Sequence, residues 1–271
     1  MPNEDEAELP PGLLRRDDVV LVTGAASGVG AACMAEVIGQ RATAIGLDIA
    51  EPPAASDRAW QRCDVTSSDS LAEVVDGVLS DYGKITKVIH CAARFTGWTD
   101  IVSLSDLEVE ETVRVNVLGS IQLARAVLPA LRRSRGSALF VGSVGGTMGL
   151  YGDAVYAATK ASLLGLTRSL AVTEAGYGVR VNLLAPGNIL TPPRAAGVRA
   201  SPDPEALEEF LNQMAWTGRS SEPREIARAA VVLLSDVFPN LTGASLNLTG
   251  GMELGAAPRY GFDDWLRQHQ G

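Results

Sequence analysis

Histidine is almost missing from this 271-residue sequence, which holds only His90 and His269, and no Cys/His cluster has metal-ligand spacing. That excludes an imidazole–thiolate metal centre as the organising chemistry. Cysteine is scarce as well. Cys33, Cys63 and Cys91 are odd in number and widely separated, which argues against a disulfide framework and suits reduced thiols in a cytoplasm. Positive charge is outnumbered: 23 Lys and Arg against 32 Asp and Glu leave a net charge of −9. Nucleic acid and anionic membrane are therefore poor partners. No apolar run is long enough to span a bilayer, and the acidic start does not read as a secretory leader. The expectation is a cytoplasmic protein whose partner is a small molecule, with no nucleic acid and no membrane.

What is present is core material. With 46% hydrophobic and 20% charged residues, the chain suits one large α/β domain. Residues 1–17 read as an acidic lead-in, 18–255 as the domain and 256–271 as a tail whose Tyr260, Phe262, Trp265 and Leu266 suggest docking. The domain opens on a strand at Asp18–Val22, whose VVLV is a continuous apolar run of the kind buried on both faces of a parallel sheet. It leads into Thr23, Gly24, Ala25, Ala26, Ser27, Gly28, Val29 and Gly30, followed by a helical pattern to about Gln40. Strand, glycine-rich turn and helix together place backbone N–H groups and a helix N-terminus around a pyrophosphate. Gly24 serves the tight turn, Gly28 the approach of backbone to phosphate, and Gly30 the close packing of helix on strand.

A second strand, Ala42–Leu47, ends in Asp48, at the offset where a carboxylate accepts the hydroxyls of an adenosine ribose. Such a carboxylate repels a 2′-phosphate, so NAD is favoured over NADP. Further strands fall at Ala59–Cys63, Lys87–Cys91, Ser137–Ser143 and Arg180–Leu184. Helices fall at Ser68–Tyr82 and Ser105–Leu131, and a third carries Tyr156. This alternation predicts a single-domain, doubly wound Rossmann-type parallel sheet with helices on both faces and ligands beyond the strand carboxyl ends.

Ser143 to Lys160 holds the acid–base candidates. Tyr156 and Lys160 are four residues apart, so both emerge on one helix face. A tyrosine with a pKa of about 10 is a poor base near neutrality, and a neighbouring ammonium lowers that value. On its own such a pair is more often a solvated helix face; its context decides. Ser143 closes an apolar strand, where its hydroxyl can bind a carbonyl oxygen.

Taken together, these residues resemble the short-chain dehydrogenase/reductase family over roughly Asp18 to Gly251. The motifs are TGxxxGxG at Thr23–Gly30, Asp48, Asp64-Val65, Asn116, Ser143, YxxxK at Tyr156 and Lys160, and Pro186-Gly187 with Thr191. Gly218-Arg219, Thr242-Gly243 and Gly250-Gly251 complete the order. The resemblance implies hydride transfer between NAD(H) and a secondary alcohol or ketone. In it Tyr156 is the acid/base, and Lys160 lowers its pKa and binds nicotinamide ribose. Ser143 positions the substrate oxygen and Asn116 supports a relay water. Asp64 and Val65 would contact adenine, and Ile189 and Thr191 the nicotinamide amide. A homotetramer is the family expectation, and the nearest look is the hydroxysteroid, sugar and polyol branch.

One stretch departs from the family pattern: His90-Cys91-Ala92-Ala93 stands where Asn-Asn-Ala-Gly is usual. Ala92 still offers backbone groups to a cofactor, and His90, inside a buried strand, reads as a hydrogen-bonded core residue outside the mechanism. Substrate residues are sought in Arg94–Asp100, Gly145–Tyr151 and the 188–217 segment, where Phe210 and Met214 form part of an apolar stripe. That stripe is equally a lid or plain helix packing. Arg94 suits an anionic or polyol substrate, or is a solvated loop charge. Two other functions remain open: an NADPH-dependent 3-oxoacyl-type reductase, against which Asp48 argues, and a non-catalytic dinucleotide sensor, for which Tyr156 would be superfluous.

Overall fold

The computed structural model describes residues 9–51, 59–150 and 152–254. Most of the acidic lead-in, most of the Glu51–Ser56 loop, Tyr151 and the 256–271 tail lie outside the described residues. Among the described residues, seven strands form one parallel sheet in the order β3-β2-β1-β4-β5-β6-β7. They are β1 Val19–Thr23, β2 Thr43–Asp48, β3 Ala59–Arg62, β4 Lys87–His90, β5 Ser137–Val141, β6 Arg180–Pro186 and β7 Ser245–Leu248. The central strands β1, β4, β5 and β6 are buried along their whole length. Their side chains nevertheless alternate between two cores, because successive Cβ atoms point to opposite faces. Val19, Leu21, Val88, Phe140 and Val181 enter one core, and Val20, Val22, Ile89, Leu139 and Leu184 the other. Helices α2 (Ser68–Tyr82), α4 (Gly119–Ser134) and α5 (Ala154–Glu174) cover the first; α1 (Gly28–Gly39) and α8 (Pro223–Leu234) cover the second.

The predicted helix Ser105–Leu131 is not continuous. Ser105 and Glu108 form a capping box that starts α3 (Asp106–Val113), and a π-helical turn at Arg114–Leu118 then separates α3 from α4. In that turn Gly119 N–H donates to the Arg114 carbonyl, five residues back, which adds one residue per turn and re-aims Asn116. Three elements escaped the sequence reading: α8, β7, and α6 (Pro192–Arg199) ahead of α7 (Pro204–Gln213). A bidentate ion pair from Arg194 to Glu208, both contacts 3.0 Å, ties α6 to α7.

Candidate active site

The glycine turn joins β1 to α1 at the carboxyl edge of the sheet. Gly24 and Gly28 have φ of +67° and +54°, the left-handed region that glycine enters without strain. A Cβ on Gly24 would lie 2.8 Å from the Ala92 amide nitrogen, so only glycine lets β1 and the β4 exit approach this closely. At the start of α1 the Ser27 side chain makes no capping hydrogen bond, and the first helical turn carries no acidic residue. The helix N-terminus therefore keeps its donors and its positive dipole end for an anion, which fits a dinucleotide pyrophosphate. Val29, the second residue of that helix, packs against the second core. Thr191 Cγ2 would sit 3.3 Å from a Cβ on Gly28, so the chain after β6 returns over the turn.

Asp48 closes β2 beside the turn, accepting from Ala26 N–H and Ala50 N–H at 3.0 Å each. Its carboxylate thus braces the turn as well as placing negative charge beside it. Past β3, Asp64 accepts from Thr66 N–H at 2.8 Å and is exposed, while Val65 is buried against Gly119. Ala92 N–H donates to Thr23 Oγ1. Pro186 ends β6, Gly187 N–H donates to the Leu248 carbonyl, and Ile189 bridges to Ser221. A Cβ on Gly187 would meet Met252 Sδ at 2.8 Å.

The catalytic candidates converge from three elements. Asn116, only 1% exposed, accepts from Arg94 N–H at 2.7 Å and donates to Arg94 O and Thr159 Oγ1, both at 2.9 Å. It therefore clamps the β4 exit loop to α5. Lys160 is buried and donates to the Val141 carbonyl at 2.8 Å, with its ammonium 5.7 Å from the Tyr156 ring centroid. Burial pulls Lys160 down to about 8, with Cys91 opposing. Ser143 Oγ accepts from Gly145 N–H at 3.1 Å and bonds the Tyr156 hydroxyl.

The electrostatics of Tyr156 differ from the sequence expectation. Its hydroxyl is pushed up, by burial first and by the Asp153 carboxylate second, while the Ser143 bond pulls the other way. The expected lowering by Lys160 does not prevail here. The ammonium is engaged with a backbone carbonyl instead of the phenol.

Asp153 is the residue that sequence reasoning missed. It sits one turn before Tyr156, 4% exposed, and its Oδ1 has no hydrogen-bond partner. Burial raises its carboxyl from 3.8 to about 6. Because the folded value exceeds the unfolded one, the stability this proton contributes is complete below pH 3.8 and is lost as pH rises through about 6. Above that the buried charge costs on the order of 2 kcal/mol. Asp153→Asn, which keeps the shape without the charge, is expected to stabilise the protein at pH 8 and to leave it unchanged at pH 4. Urea unfolding at the two pH values checks this, and an equal shift at both would refute the charge argument.

Around Tyr156 stand the aromatic residues of the β4 exit loop. Phe95 packs edge-on against Tyr156 at 5.0 Å between centroids, and Trp98 against Phe95 at 6.0 Å. Arg94 turns its partly exposed guanidinium to Glu111 of α3, forming an ion pair at 3.0 Å. Gly145 is buried, with Leu150 close by. Met214 joins Val144, Met148 and Leu150 in a small apolar cluster beside the Ser143 turn, whereas Phe210 on the same helical segment is 53% exposed. The structure thus places Met214 against the segment that follows Ser143 and leaves the Phe210 ring facing solvent.

Among the described residues no three His, Cys, Asp or Glu side chains gather as a metal site, and no helix is long and apolar enough to cross a membrane. Comparison with known proteins adds a family. The family described as Enoyl-(Acyl carrier protein) reductase matches residues 24–253, from the glycine turn through the Asn116 bulge and the Tyr156 helix to beyond β7. An L-fucose dehydrogenase of Oryctolagus cuniculus is 32% identical over 90% of this chain and 88% of its own length. A 3-oxoacyl-(acyl-carrier-protein) reductase of Salmonella typhimurium is 32% identical over 86% of this chain and 96% of its own. The solved aldohexose dehydrogenase of Thermoplasma acidophilum superposes with a TM-score of 0.84 at 28% identity, covering 89% of this chain and 96% of that one.

Proposed function

The chain belongs to the short-chain dehydrogenase/reductase family, an oxidoreductase acting on alcohol and ketone groups with a nicotinamide dinucleotide, and from that premise we propose that it oxidises a secondary hydroxyl of a sugar or polyol with NAD. The observation that supports this reading is the clamp of Asn116 on Arg94 and Thr159, which holds the β4 exit loop against α5, the helix that carries Tyr156 and Lys160. A bound dinucleotide supplies the hydride acceptor or donor. The residues Gly24, Ser27, Gly28, Val29, Gly30 and Asp48 would hold its adenosine half, with Asp64, Val65 and Ala92 beside it. Lys160, Pro186, Gly187, Ile189 and Thr191 would hold the nicotinamide half. Tyr156 moves the substrate proton at its hydroxyl, Ser143 orients the reacting oxygen, and Phe95 and Met214 exclude water from one side.

NAD preference rests on Asp48. Its carboxylate beside the turn opposes a 2′-phosphate, and like charges in contact cost several kcal/mol. A preference for NAD over NADP of about a hundredfold in kcat/KM is expected, and Asp48→Ser should narrow it about tenfold. The test is reduced-nicotinamide absorbance with each dinucleotide, offering L-fucose, other aldoses, polyols, hydroxysteroids and dihydrodiols. Turnover of a 3-oxoacyl thioester with NADPH, and of no sugar or polyol, would instead favour the reductase reading that the Salmonella relative suggests. A homotetramer accords with the exposed apolar side chains of Val113, Leu118 and Ile121 along α3, the π-helical turn and α4. A monomeric mass in light scattering would count against it.

A further inference from the structure

His90 ends β4 with 2% exposure, and both of its ring nitrogens have partners. Nδ1 lies 2.7 Å from Thr23 Oγ1 and Nε2 lies 2.8 Å from Ser120 Oγ. The protons of this cluster can be assigned by elimination. The Ser120 hydroxyl donates to the Asn116 carbonyl at 2.6 Å, so its single proton is spent and its oxygen accepts from His90 Nε2–H. Nδ1 is then the acceptor, and Thr23 Oγ1 donates to it. The Thr23 oxygen in turn accepts Cys91 N–H and Ala92 N–H, both at 3.2 Å. Cys91 N–H also reaches the Thr23 carbonyl at 3.3 Å, and along the side-chain path the donor-to-acceptor polarity never reverses.

The chain continues beyond Asn116. Its Nδ2 donates to Thr159 Oγ1, and Thr159 donates to the Tyr156 carbonyl at 2.7 Å. A single buried path therefore runs from Thr23, the residue before Gly24, to the backbone of Tyr156. We propose that His90, held as the Nε2–H tautomer, is a positioning residue that ties the cofactor turn to the Asn116 bulge and through it to the catalytic helix. The histidine substitutes for the asparagine usual at this place in the family, and it lets β1 and β4 report directly to the π-helical turn. Fully satisfied buried networks of this kind specify one arrangement because any broken link strands a polar group. The catalytic meaning of the inference rests on the dehydrogenase reading; the geometry does not.

Two measurements test it. In a His269→Gln protein, which retains His90 alone, nitrogen-15 spectra at pH 7 are expected to show Nε2 protonated and Nδ1 accepting; the opposite tautomer would overturn the assignment. Ser120→Ala removes the link to Asn116 while leaving His90 in place. It is expected to raise hydrogen exchange at the Arg94 amide, which donates to Asn116, about tenfold with the β1 amides unchanged. It should also lower kcat about tenfold with the dinucleotide dissociation constant unchanged. Unchanged exchange at Arg94, or an equal rise at Arg94 and throughout β1, would sink the positioning role. Exchange needs no substrate, so a protein that shows the Arg94 effect yet turns over no alcohol would refute the dehydrogenase reading and leave this inference intact.

Discussion

Tyr156→Phe is expected to lower turnover about a thousandfold while dinucleotide affinity stays within about twofold, the range of a lost general acid–base group with binding preserved. The phenyl ring keeps its edge contact with Phe95, so packing and fold survive. What disappears is the hydroxyl on which Ser143 acts, on the ring that the Lys160 ammonium approaches. The direction of pH dependence follows from the same site. Oxidation needs the phenolate, and burial with the Asp153 carboxylate holds the hydroxyl above its ordinary value. The oxidative rate of the unaltered protein should therefore climb with pH through the alkaline range, whereas ketone reduction, which consumes the hydroxyl proton, should not. Asp153→Asn should move the oxidative limb to lower pH. Stopped-flow absorbance and fluorescence titration together check the set. Residual turnover above about a tenth of the unaltered rate in Tyr156→Phe would remove Tyr156 from the mechanism.

The parts of this site that the sequence discloses are those fixed by local chemistry. The Thr23–Gly30 turn is legible because positive φ demands glycine wherever it occurs, and Tyr156 with Lys160 because a helix places residues four apart on one face. The parts it hides depend on distant contacts. Nothing between Ser105 and Leu131 announces a π-helical turn, since the clamp that goes with it comes from Arg94 and Thr159. Asp153 looks like any polar residue before a helix. Its burial goes with the preceding Gly152, whose carbonyl accepts Thr99 N–H and whose Cβ position lies against the Trp98 backbone. Strand β7 was missed for the opposite reason: its first three residues are exposed, so it carries little of the apolar pattern that marked the central strands. His90 was legible as a bonded core residue. Its two partners, from β1 and α4, were not.

Gly30→Ala is expected to weaken dinucleotide binding about a hundredfold and to destabilise the fold by about 3 kcal/mol. The added methyl would stand 2.0 Å from the Gly24 carbonyl oxygen and 2.6 Å from its carbon. Both atoms are backbone, so no side-chain rotation relieves the overlap. Either α1 retreats from the turn or Gly24 leaves its φ of +67°, and each displaces the N–H groups that face the anion. The same substitution one helix length away makes the control. Gly39 ends α1 with nothing within 4 Å of its Cβ position, and its φ lies outside the left-handed region. There alanine removes the entropic cost of a helical glycine and should stabilise by about 0.5 kcal/mol with binding untouched. Urea unfolding and fluorescence titration of the pair decide the matter: equal effects at Gly30 and Gly39 would show that helix propensity, and not the close approach of α1 to the turn, sets the requirement for glycine.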